Sequence, residues 1–205
     1  MNAESDRLDH KIIADLIAPG SSVLDLGCGN GDLLYMLIRD KGVHGQGIEI
    51  DEQAIYRCVA RGLNVIHGDL DSGLRDYLDG SFDYVMLNQT MQQVRGLKTV
   101  LDDSLRVGKK VVAGFPNFAF YKARLQLFLR GRTPVTPSLP YPWYETPNLH
   151  FLSIADFYAY CAETGIRIER GEFLNNGGIV RFRPNLFAQT GIFLISRIPP
   201  QSGAR

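Results

Sequence analysis

The chain has 205 residues, 45% hydrophobic and 21% charged, near the globular average, which excludes a disordered, collagen-like or coiled-coil chain and favours one domain over residues 1–205. Its 22 lysines and arginines balance 22 aspartates and glutamates, so no global positive field draws it to a nucleic acid, and none is expected as partner. Three scattered cysteines, Cys28, Cys58 and Cys161, form no C-x-x-C pair, so free thiols, a cytoplasmic location and no metal site are expected.

The first twenty residues are charged and amphipathic rather than a signal peptide, and no run of about 18 apolar residues predicts a membrane span. Leu8, Ile12, Ile13, Leu16 and Ile17 recur at helical spacing and stop at Pro19-Gly20, where the apolar run Val23-Leu-Asp-Leu26 begins. A stripe of Leu33, Leu34, Leu37 and Ile38 predicts a second helix, followed by a strand over Gln46–Ile50. A helix over Ala54 to Val59, strands at Asn64–His67 and Phe82–Leu87, a helix around Leu97 to Leu101 and a strand at Lys110–Phe115 continue the alternation.

Repeated strand–helix units with apolar strands predict an α/β, doubly wound, mostly parallel sheet with helices on both faces. Ligands of such sheets lie beyond the carboxyl ends of the strands. The rhythm then breaks at about 116–150. A helix is predicted over Phe118–Arg130, and the loop after it holds five of the ten prolines together with Leu139, Tyr141, Trp143 and Tyr144. Proline at this density prevents regular structure, and the aromatics are too apolar for a flexible linker, so a packed surface loop is expected. Ser153 and Asp156 have capping-box spacing before a helix through Cys161, and strands at Arg167–Leu174 and Gly191–Arg197 complete the sheet.

The segment richest in chemistry is Val23-Leu-Asp-Leu-Gly-Cys-Gly-Asn-Gly31. Its glycines are spaced G-x-G-x-G, not the G-x-G-x-x-G that seats a pyrophosphate on a helix N-terminus. The segment resembles motif I of class I S-adenosylmethionine-dependent methyltransferases, a fold whose sheet ends in an antiparallel strand. That resemblance implies S-adenosylmethionine or S-adenosylhomocysteine as ligand. The backbone at Gly27, Cys28 and Gly29 would approach its amino acid part, and Asp25 would complement its positive charge. Glu49, ending the second strand, would accept hydrogen bonds from the ribose hydroxyls, with Ile50 beside the adenine. Asp69, ending the third, would accept from the adenine amino group, with Leu70 on the ring, and Asn88 would line the cleft from the fourth.

Competing bland roles are weighed in the same residues. Glu49 and Asp69 taken singly also suit helix caps or solvated loop acids. Cys28 suits a small buried residue better than a nucleophile, and His67 a strand end better than a general base. The aromatics from Phe118 to Phe151 suit packing better than base stacking.

Along nearly its whole length the chain is also similar to one family, MetW, of methionine biosynthesis. The segments that carry the similarity are Arg7-Leu-Asp-His10, the motif I segment, Gln89-Thr-Met-Gln92, Phe115-Pro-Asn117, Gly131-Arg-Thr-Pro-Val-Thr136 and Leu139-Pro-Tyr-Pro-Trp-Tyr-Glu-Thr-Pro-Asn148. Pro142 and Glu145 depart from the pattern of the last. The family resemblance implies a protein working beside a homoserine O-acyltransferase, MetX, with contact expected through the 131–148 loop. No G-x-S-x-G elbow is present, so acyltransferase chemistry is not expected in this chain. The fourth strand ends in Asn88-Gln-Thr-Met91 rather than a methylase signature, so no catalytic residue is assigned. Two functions follow: an accessory subunit that senses the nucleoside, or a methyltransferase on a small molecule running on proximity and orientation.

Overall fold

The computed structural model describes residues 7–198. In chain order it contains α1 (Leu8–Leu16), β1 (Ser22–Leu26), α2 (Asp32–Lys41), β2 (His44–Glu49), α3 (Glu52–Ala60), β3 (Val65–His67) and a 3-10 turn (Leu70–Ser72). Then follow β4 (Phe82–Asn88), α4 (Leu97–Val107), β5 (Gly108–Pro116), α5 (Tyr121–Arg130), α6 (Ile154–Thr164), β6 (Ile166–Asn175), β7 (Gly178–Ile179), α7 (Pro184–Phe187) and β8 (Thr190–Arg197). One eight-stranded sheet has the order β3-β2-β1-β4-β5-β8-β6-β7. Strands β1 to β5 pair in parallel, β8 runs antiparallel to both β5 and β6, and β7 closes a hairpin on β6. This is the doubly wound sheet with an antiparallel final strand that the sequence predicts.

Side chains alternate across the strands, which divides the core in two. Leu24, Leu26, Val85, Val111 and Phe193 face Leu101 and Leu105 of α4 and Phe157 of α6. Val23, Met86, Val112 and Ile192 face Ile13 of α1 and Leu34 and Leu37 of α2. Phe193 sits 5.7 Å from Phe115 and 4.7 Å from Phe157, ring centre to ring centre. Each such buried ring contributes about 2–3 kcal/mol, so this triad anchors the antiparallel half of the sheet. Asp25 lies on the α1/α2 side of β1, the one acid in an otherwise apolar strand.

The capping box before α6 is complete: Asp156 N–H donates to Ser153 Oγ (3.1 Å) and Ser153 N–H to Asp156 Oδ2 (2.9 Å). α5 starts at Tyr121 rather than Phe118. Buried Asn117 accounts for the difference, because its Oδ1 accepts from Ala119 N–H (3.1 Å) and Ile154 N–H (3.3 Å) while its Nδ2 donates to Ala188 O (2.8 Å). Holding three segments at once, that amide fixes residues 118–120 as a turn. β7, α7 and the 3-10 turn, of two to four residues each, are additions to the expected elements. Among the described residues no helix is long and apolar enough to cross a membrane.

Candidate functional site

Two adjoining cavities open at the carboxyl edge of β1, β2 and β4. The larger, about 550 Å³, is lined by Glu49, Ile50, Asp69, Leu70 and the Gln89–Arg95 loop. The smaller, about 270 Å³, is lined by Asp25, Cys28, Arg7, His10, Asn30 and Asp32. Gly27, Gly29, Asn88 and Gln89 border both. All nine residues singled out in the sequence therefore surround one continuous space.

The turn after β1 is pinned to its neighbours through backbone. Gly27 and Cys28 N–H donate to Ile48 O (2.8 and 3.2 Å), and Thr90 Oγ1 donates to Leu26 O (2.8 Å). Gly27 has φ +72°, and a Cβ there would lie 2.8 Å from Thr90 Oγ1, so only glycine fits. Gly29, at φ +55°, has nothing within 4 Å of such a Cβ; conformation alone demands the glycine, and its bare backbone borders both cavities.

Asp25 is 3% exposed. Burial first, and the charge of Glu49 second, push its carboxyl up to about 7. Asn88 Oδ1 is buried with no hydrogen-bond partner among the described residues. Asn88 Oδ1 lies against Gly114 rather than open to the cavity, so the buried, ionisable Asp25 is the group there that a cation would complete.

The Glu49 carboxylate is already engaged. Its Oε2 accepts from Gly29 N–H (2.7 Å), and its Oε1 accepts from the N–H of Ile50 (2.9 Å) and Asp51 (3.0 Å). With about four acceptor positions on a carboxylate, room for a further donor is left, and the acid also braces the glycine turn. Ile50 is not in the strand as expected; β2 ends at Glu49, and Ile50 is 59% exposed at the cavity wall. Asp69 likewise does not end β3, which stops at His67. It caps the 3-10 turn, its Oδ1 accepting from Asp71 N–H (2.9 Å), and Leu70 follows it into the cavity wall. β3 stops at His67, where the sequence also predicts its end, and the 3-10 turn after Asp69 makes the chain reversal.

Burial raises the Cys28 thiol, so it stays neutral; the residue is half-buried rather than buried, lining the smaller cavity with its sulfur toward Gly47. His67 lies at the exposed end of β3 and lines a different cavity from Asp25. Several lining residues went unassigned in the sequence. Gln89 holds φ +62°, an uncommon conformation for a residue other than glycine. Asp71 accepts from Gly96 N–H (2.8 Å) and Arg95 N–H (3.2 Å), closing the β4–α4 loop over the cavity. His10 is buried, its imidazole pushed down from its ordinary value by burial and then by Arg7, which keeps it neutral. Its one sequence signal is its place in Arg7-Leu-Asp-His10.

The profile of the family described as methionine biosynthesis protein MetW matches residues 7–195. The chain belongs to the MetW family. A relative from Rhodopirellula baltica, named bifunctional methionine biosynthesis protein MetXA/MetW, is 36% identical over 203 residues, covering 93% of this MetW chain and 33% of the relative. The chain spans about one third of the length of the curated relatives it matches. Among solved structures, a TehB-like S-adenosylmethionine-dependent methyltransferase from Corynebacterium glutamicum is similar with TM-score 0.64 at 15% identity, covering 96% of this chain and 90% of that one. An S-adenosylmethionine-dependent methyltransferase from Mesorhizobium loti has TM-score 0.66 at 18% identity, covering 91% and 96%. At these identities the likeness concerns the fold, and the MetW chain has the class I methyltransferase fold.

Proposed function

We propose that this MetW-family chain is a cytoplasmic accessory subunit of a homoserine O-acyltransferase, MetX, and that it binds S-adenosylmethionine or S-adenosylhomocysteine in the joined cavities. The relative that carries MetXA and MetW in one polypeptide supports the partnership, since fusion holds two chains at high effective concentration. The 131–148 loop, with Tyr141, Trp143 and Tyr144 exposed, belongs to the contact surface.

The residues fit such a nucleoside. A ligand α-ammonium would supply the charge that returns Asp25 to its carboxylate form. Glu49 retains an acceptor position for ribose, Asp69 Oδ2 is free of the capping bond made by Oδ1, and exposed Ile50 with Leu70 offers apolar cover for a purine. S-adenosylmethionine, when bound, would bring a sulfonium and a transferable methyl group. As a sensor, the chain would only need to hold the nucleoside and close the Gln89–Arg95 loop on it, and coupling then requires the partner-bound and free states to bind it unequally.

The observation that carries the reading is the buried Asp25 carboxyl at a glycine-lined cavity, in a chain whose relative carries MetXA and MetW together. It is tested by the rate of homoserine acylation by the acyltransferase with and without this protein, each with and without S-adenosylmethionine. A large rise with the protein and a further change with the nucleoside are expected. No effect in any arm overturns it.

One observation favours a second reading, a small-molecule methyltransferase: His10 lines the same cavity as Asp25, where it would take the proton released by an acceptor amine or hydroxyl. Turnover to S-adenosylhomocysteine with some metabolite, lost in His10→Gln, would establish it.

A further inference from the structure

α5 has its apolar side outward. Tyr121, Leu125, Phe128 and Leu129 recur at i, i+4, i+7 and i+8, the spacing of a single stripe that ordinarily faces a core. Here they are 40%, 52%, 85% and 67% exposed, and Ala123 is the one buried residue of the helix. Two rings from the β7–β8 connection extend the stripe: Phe187 is 6.1 Å from Tyr121, and Phe182 is 6.2 Å from Phe187.

The helix is held firmly in this orientation. The Gln126 side chain donates to Val135 O and accepts from Val135 N–H, both at 3.0 Å, while Arg124 Nε donates to Ala119 O. Gly131 ends it in the left-handed conformation, donating to Leu127 O. At about 150–250 Å² for a large ring, six partly exposed side chains amount to roughly 600 Å² of apolar surface. That is at the upper end of what a monomer exposes, and with a polar rim it reaches the ~800 Å² per partner of a stable complex.

The charge around the stripe is one-sided. Residues 118–144 contain Lys122, Arg124, Arg130 and Arg132 and no acid, and residues 173–189 contain Arg181 and Arg183 and no acid, in a chain with no net charge. Lys122 and Arg183 stand over the rings of Tyr121 and Phe182, at 5.9 and 5.4 Å from their centres. A two-fold dimer through this face would set these cations against themselves, so a second copy is disfavoured. The fitting occupant is a different protein with an apolar patch inside an acidic rim.

We infer that the α5 face, with Phe182 and Phe187, is the principal docking surface for the acyltransferase, and that the acyltransferase meets it with an acidic-rimmed apolar patch. This rests on the accessory-subunit reading and moves the centre of contact from the 131–148 loop to the helix before it. The test is sedimentation velocity and biolayer binding of the full chain with the homoserine O-acyltransferase of the same organism, for the wild type, the double variant Leu125→Asp/Phe128→Asp, the charge-reversal variant Arg130→Glu/Arg132→Glu, and Phe182→Ser.

The wild type forms a complex, the apolar double variant weakens it about a hundredfold, and charge reversal weakens it about tenfold and flattens its salt dependence. Thermal melting within about 2 °C of wild type shows that the variants are folded; Phe182→Ser, far from α5 in sequence, supplies an independent loss if the helix variants melt early. A wild-type complex that all three variants reproduce overturns the docking face and leaves the accessory reading standing. No wild-type complex, with binding instead to vesicles of phosphatidylcholine and phosphatidylglycerol, overturns both.

Discussion

The carboxyl edge of β1–β4 and the outer face of α5 depart from opposite rules of folding. At the first, a polar group is buried at the cavity: Asp25, with its raised carboxyl, while Asn88 Oδ1 nearby is sealed against Gly114 without a donor among the described residues. At the second, apolar groups are exposed without cover, Phe128 most of all. A protein folding for itself would remove both, and each departure is of the kind its missing partner would correct: a small cation-bearing molecule inside, an apolar protein surface outside.

Breaking the inner half has the largest expected effect. Glu49→Ala strips the acceptor from three backbone N–H groups and from the proposed ribose contact, so nucleoside affinity is expected to fall by on the order of 4 kcal/mol, roughly a thousandfold, by calorimetry. Asp25→Asn divides binding from stability. The carboxyl, raised from 3.8 to about 7, favours the fold fully below its ordinary range and loses that contribution as pH rises through 7. The amide variant is therefore more stable than wild type at pH 8, by on the order of 3 kcal/mol in chemical denaturation, while it binds the nucleoside less well.

Gly27→Ala forces a Cβ onto Thr90 at positive φ and costs about 1–3 kcal/mol by the same measurement. Ligand affinity runs opposite to stability with pH, because a cation needs Asp25 ionised. Calorimetry is expected to show affinity rising about tenfold from pH 6 to pH 8 in the wild type and losing that rise in Asp25→Asn. The smallest effect sharpens the contrast: Phe128→Asp changes stability by no more than about 0.5 kcal/mol, since nothing in the fold leans on that ring. A large loss there would show that α5 packs inward and that the two regions are not opposites.

The glycine turn and Asp25 were legible because their requirements are local: positive φ at fixed spacing, and one acid in an apolar strand. The sheet was legible for the same reason, as periodicity repeated unit after unit. Asp71 was not, since its partners Arg95 and Gly96 lie 24 and 25 residues away, nor was His10, whose place depends on where α1 lands on the sheet. Ile50 lies one residue past the end of β2, and Asp69 caps a three-residue 3-10 turn, too short to leave a periodic trace. The apolar stripe of α5 was visible as a stripe, yet sequence spacing says only that one side is apolar and not which way it faces. Asn117 set the helix start through contacts with Ala188 and Ile154 that no window of sequence contains.

Gln92 is buried in the connection between β4 and α4. Its carbonyl receives both Leu149 N–H (2.7 Å) and His150 N–H (3.1 Å), and the His150 ring meets Val94 O at 2.9 Å. The loop that lines the larger cavity is thus clasped to the end of the proline-rich segment mostly by main chain. A clasp of peptide groups tolerates side-chain change at 149, where only proline removes the donor, whereas buried Gln92 also holds Gln89 O through its side-chain amide (2.9 Å). The two halves of the molecule can change their vocabularies separately and still stay joined at this hinge.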